Sequence, residues 1–138
     1  MTPEVAGLAT RASEMLLARK DELALAVTDA VYAARPELRD RYGEIGVKRC
    51  REDMRYTIEH LAPAVALGEP PIFGAYVIWL IELLRARSIP DDDVRLSLVS
   101  LRQVLGERLP PNEFGEAARI IAAALASSFR NSMAEPDA

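Results

Sequence analysis

Proline cuts this chain at Pro36, Pro63, Pro70-Pro71, Pro90 and Pro110-Pro111, and between those cuts almost every stretch reads as helix. Proline lacks the N–H that a helix interior needs, and the residue before it avoids the α conformation. Ala, Leu, Arg and Glu dominate the intervals, all good helix formers. The cuts predict helices over about Pro3–Ala18, Asp21–Ala34, Tyr42/Glu44–Leu61, Ile72–Arg87, a segment after Pro90 and a last one after Pro111. The join near Arg19–Lys20 leaves one long first helix open. A kink or break is expected at Pro63, and Gly68-Glu69-Pro70-Pro71 reads as a connector. Ser88-Ile89-Pro90-Asp91 has the spacing of a capping box with Asp in place of Glu. No strand alternation and no internal repeat is visible, so the fold class is all-α.

The apolar stripes say which faces pack. At about 100° per residue from Cys50, the residues Val47, Met54, Ile58 and Leu61 form one stripe. Cys50 lies at its edge, Asp53 and Thr57 just beyond, with Arg49 and His60 further round. Ile72–Arg87 is nearly apolar all round and is expected to be buried. Val94, Leu98, Leu101 and Leu105 make the next stripe, and Phe114, Ala117, Ile121, Ala124 and Leu125 the last. The 138 residues are read as one domain with a core of its own, fraying over 132–138.

Composition excludes several classes. Half the residues are apolar and 28% are charged, as in a folded domain. A net charge of −4 with no basic stripe argues against nucleic acid. The run Tyr76–Ile81 is too short to span a bilayer. One cysteine makes no internal disulfide and no leader is evident, so a cytoplasmic location is expected. No second histidine or cysteine completes a zinc site. No nucleophile motif or glycine-rich phosphate loop appears.

Chemistry gathers in residues 48–56, Lys-Arg-Cys-Arg-Glu-Asp-Met-Arg-Tyr. Residues three apart on a helix have Cβ atoms about 5–6 Å apart, so Cys50 and Asp53 are neighbours. A thiol, a carboxylate and the Arg49 guanidinium on one side suit a linear tetrapyrrole. The thiol can add to a vinyl or ethylidene group, the carboxylate can accept from pyrrole N–H groups, and the arginine can pair with a propionate. Met54 and Thr57 would form the floor. Tyr76 and Trp79, three apart on the next helix, would form a wall. Each residue also has a plain structural reading: Cys50 as inert core, Asp53 paired with Arg49 or Lys48 on a solvated face, the aromatics as packing.

From about Val31 to Phe129 the chain resembles the phycobiliproteins, globin-fold subunits of light-harvesting antennae. Cys50, Asp53 and Tyr56 match the spacing of their chromophore helix, and Arg49 stands where a basic residue often precedes the cysteine. Leu67-Gly68-Glu69, Ser88-Ile89-Pro90-Asp91 and Val31-Tyr32-Ala33-Ala34-Arg35-Pro36 follow in register with family turns and with the end of the family's second helix. Glu52 replaces a usual arginine, and Leu84 stands where a tyrosine is usual. The two N-terminal antenna helices are missing, and Pro36–Cys50 is shorter than in the antenna subunits. The chain is therefore more similar to the compact paralogues called bilin biosynthesis-associated globins.

The resemblance implies a globin-like domain that binds a bilin (biliverdin or phycocyanobilin), noncovalently or through a thioether at Cys50, for storage, transport or sensing. Proteins of bilin biosynthesis are the implied partners, and the apolar first helix is a candidate homodimer contact. A haem globin is not expected, because Ile72–Arg87 holds no histidine and His60 sits on the other helix. The rival reading is a cofactor-free globin serving as a protein-interaction or stress-sensing module. An enzyme acting on bilins is disfavoured, with no acid–base pair beyond Asp53 and His60.

Overall fold

A computed structural model describes residues 2–129, and the tail expected to fray lies outside them. The described residues contain six helices and no strand: α1 Pro3–Ala18, α2 Lys20–Ala34, α3 Glu37–Leu67, α4 Pro70–Ala86, α5 Asp91–Arg108 and α6 Pro111–Ser128. None of them is long and apolar enough to cross a membrane.

Local chemistry sets most ends. The Thr2 hydroxyl accepts the Val5 N–H at 3.2 Å with Pro3 at the first helical position, a standard N-terminus. α1 and α2 are separate helices joined by a sharp corner at Arg19. The Arg19 guanidinium donates to both carboxylate oxygens of Glu22 at 3.1 Å and to the Arg108 carbonyl at 2.9 Å, tying the corner to the end of α5. Gly68 ends α3 in the left-handed conformation, where glycine carries no Cβ penalty. The Glu69 N–H then closes onto the Ala64 carbonyl at 3.0 Å.

Four expectations need correction. Helix α3 begins at Glu37, before Tyr42, because Pro36 presets the backbone and Glu37 and Asp40 favour the positive end of a first turn. It is interrupted at Gly43 (φ 68°, ψ −171°), so residues 37–42 form a short helical segment set against the long part. Pro63 does not break α3. Its ring faces outward while Leu61, Ala62, Ala64 and Val65 are buried, and that burial outweighs a proline penalty of ~3 kcal/mol. α4 is not buried all round: Phe73, Tyr76, Val77, Leu80, Ile81 and Leu84 face in, but Ile78 and Trp79 are 54% and 47% exposed. The capping box is not formed either. Ser88 takes a positive φ of 63°, and Pro90 holds the cap position, its carbonyl accepting the Asp93 N–H at 3.0 Å.

Helix α3 is the spine, packed against α1, α2, α4 and α6. α5 lies across α2 and α6, α4 rests on α6, and α1 reaches α6. One apolar cluster draws residues from all six helices, with Leu16, Leu23, Ile58, Leu61, Phe73, Leu98, Leu101 and Ile121 fully enclosed.

Candidate functional site: a crevice between α2, α3 and α5

The end of α2, the first half of α3, the end of α4 and the start of α5 leave a crevice with a volume of about 150 Å³. Four of the seven sequence candidates line it: Arg49, Cys50, Asp53 and Met54, all on α3. Val31 and Tyr32 enter from α2, Leu84 and Arg87 from α4, and Asp93 and Val94 from α5. Apolar groups supply most of the wall, with charged groups at its rim.

Cys50 is a neutral thiol here. Burial chiefly pushes its pKa up to about 11, the Thr28 hydroxyl opposes this, and the Asp53 charge adds to it. Thr28 already donates to the Ala24 carbonyl at 2.8 Å, so its proton is engaged elsewhere. At pH 7 about one thiol in ten thousand is ionised at that pKa. Asp53 is likewise raised above the ordinary carboxylate value. Burial is the main cause, the Arg87 guanidinium counters it, Glu52 raises it and Arg49 lowers it. Arg87 stands 3.8 Å from the Asp53 carboxylate, across from α3. The nearest cation is thus not Arg49 or Lys48, the pairing that helix spacing alone offered. Among the described residues Arg49 has no carboxylate within ion-pair distance, and its guanidinium is open at the rim.

The other three candidates lie elsewhere. Thr57 is fully buried one turn after Asp53; its hydroxyl donates to the Asp53 backbone carbonyl at 2.7 Å and meets the Tyr76 hydroxyl at 2.8 Å. Tyr76 stacks on His60 with ring centroids 4.4 Å apart, and Tyr56 and Trp79 complete an aromatic group on that flank. Thr57 and Tyr76 therefore join α3 to α4, and Trp79 faces outward; none lines the crevice. The Ile72–Arg87 face expected to be a wall contributes Leu84 and Arg87 instead.

Sequence reading missed the polar clamp at the crevice mouth. Asp93 is 7% exposed, accepts from the Arg35 guanidinium at 2.8 Å and from the Tyr42 hydroxyl at 2.7 Å, and has Arg41 at 3.8 Å. The signal was the run Asp91-Asp92-Asp93, which looks like an ordinary acidic helix start. Only its third member turns inward. Among the described residues no group of three His, Cys, Asp or Glu is placed to hold a metal ion. No protein-family model and no curated protein matches the chain.

Proposed function

We propose that this chain is a globin-like protein that binds a bilin in the crevice beside Cys50 and Asp53, without covalent attachment in its resting form. One observation carries the reading. Residues far apart in the chain that bear the phycobiliprotein resemblance (Val31, Tyr32, Cys50 and Asp53) converge on one crevice. Pairwise helix packing around the crevice, with α3 against both α2 and α4 and α5 against α6, supports a globin arrangement. Tyr56, which also matches, lies on the aromatic flank, and the Leu67-Gly68-Glu69 turn lies away from the crevice.

The donor set fits the pigment. A bilin brings apolar rings, a row of pyrrole-type nitrogens and carboxylate arms. Asp53 is the acceptor for the nitrogens, and bonds to an ionised acceptor are roughly twice as strong as neutral ones. Arg49 and Arg87 are the cations for the carboxylates, and Val31, Met54 and Leu84 the apolar wall. The thiol is poorly suited to attack, since the thiolate is the nucleophile and burial suppresses it. Binding, storage or sensing alongside bilin biosynthesis, in the cytoplasm and without catalysis, is the role that follows.

A specific observation favours a second reading. At about 150 Å³ the crevice is smaller than the ~300–1,000 Å³ of most ligand pockets. A cofactor-free interaction or sensing module would need no larger space. Purification from cells that make biliverdin or phycocyanobilin separates the two. A coloured protein that releases all its pigment on denaturation supports the first reading, and colourless protein supports the second. Pigment retained through denaturation by wild type and lost in Cys50→Ala would overturn noncovalent binding.

A further inference from the structure

Residues 37–42 close one side of the crevice, and they are not continuous with the helix that follows. Pro36 bounds them at one end and Gly43 at the other. The Gly43 backbone occupies a region that side chains other than glycine's rarely enter, although a Cβ there would meet nothing within 4 Å. Backbone conformation, not crowding, therefore calls for glycine at this joint. Leu38 and Tyr42 form the inner face of the segment and both line the crevice.

Three sets of contacts hold the segment down. The Tyr42 hydroxyl and Arg41 meet Asp93, which Arg35 also holds from the far side of Pro36. Arg39 spans the joint to Glu44 at 2.6 Å, and its guanidinium lies over the Tyr32 ring at 5.5 Å. Tyr42 also sits directly against Gly46, where any added side chain would collide with its Cβ.

We propose that residues 37–42 are a hinged cover that turns at Gly43, is latched by Asp93, and sets through Tyr42 on Gly46 the size of ligand the crevice admits. Lifting the cover enlarges the space and releases Tyr42 and Arg41 from Asp93, which Arg35 keeps holding. The guanidiniums of Arg41, Arg49 and Arg87 then face the opening, which selects an elongated conjugated ligand with carboxylate arms. The identity of that ligand rests on the bilin reading, whereas the cover does not.

Cys50 lies inside the crevice and reports on the cover without any pigment. Its labelling by an aromatic disulfide reagent, 5,5′-dithiobis(2-nitrobenzoate), is followed in wild type, Tyr42→Phe and Gly46→Ala. The first variant removes one latch bond to a charged group, and the second pushes Tyr42 off its seat. Both are expected to label at least about tenfold faster, with helical circular dichroism and a cooperative urea transition retained. The midpoint of the pH–rate profile stays in place, which separates access from a change in the thiol itself. Hydrogen exchange of residues 37–42 should likewise outpace that of the long part of α3. Unchanged labelling in both folded variants overturns the cover, as does acceleration that merely tracks global unfolding. Added biliverdin separates the two readings. Faster labelling without pigment uptake keeps the cover and removes the bilin; uptake with unchanged labelling does the reverse.

Discussion

Asp53 and Thr57 are one turn apart on α3, yet they belong to regions built on opposite rules. On the Thr57 side the polar groups are satisfied by the protein itself. The Thr57 hydroxyl is shared between the Asp53 carbonyl and Tyr76, and the rings of Tyr76, His60 and Tyr56 stack beside it. On the Asp53 side the groups are incompletely answered. Asp53 is held above its ordinary pKa with a guanidinium only as near as 3.8 Å, Cys50 is protonated, and Arg49 is open. A protein that only needed to fold would gain by pairing or removing such groups. The difference teaches that one flank closes its polar groups on one another, while the other leaves them only partly paired.

The largest effect should come from the closed flank. Tyr76→Ala removes a buried aromatic ring and is expected to cost about 3–5 kcal/mol, read from the urea midpoint. A loss below about 1 kcal/mol would erase the contrast between the two regions. At the crevice, Gly43→Ala forces an unfavourable backbone at the joint and should cost about 1–3 kcal/mol. Thermal melts that coincide with wild type would show that the joint carries no strain.

A smaller effect with a definite sign is expected at Asp53. Its pKa is raised in the fold, so the folded state binds more protons between the ordinary value, 3.8, and the raised one. Stability associated with this group is present at low pH and declines as pH climbs through that window. Asp53→Asn should therefore be more stable than wild type at pH 7, with the advantage shrinking to nothing below pH 3.8. An advantage that grows on acidification would contradict the assignment. The smallest effect is expected at Trp79, whose half-exposed ring should cost about 1 kcal/mol of stability when replaced by alanine. Because Trp79 does not line the crevice, the absorption spectrum of a bilin bound as proposed should be unaffected by the replacement, and a shifted spectrum would restore the aromatic wall.

Much of the fold could be read from the chain because its signals are local. Pro36, Gly68, Pro70 and Pro110 mark real helix ends, and the stripes of α5 and α6 point inward as their spacing predicts. The errors arose where tertiary packing overrode a local rule. Pro63 stays helical because its neighbours are buried, and α4 turns Trp79 outward although the helix is rich in apolar residues. The candidate site was half legible for the same reason. Arg49, Cys50, Asp53 and Met54 follow from helical spacing. The Asp93 clamp joins partners 51 and 58 residues away, and no local pattern announces it. Arg87 was hidden likewise, since its partner Asp53 lies on another helix.

The bond from Arg19 to the Arg108 carbonyl joins residues 89 positions apart. During synthesis the α1–α2 bend emerges long before its anchor does. The α1–α2 pair can form early, but its mutual angle gains this fastening only once Arg108 has been added. Replacing Arg19 would thus loosen the α1–α2 bend and leave the Arg108 carbonyl to find another donor, linking the fates of that bend and of the end of α5.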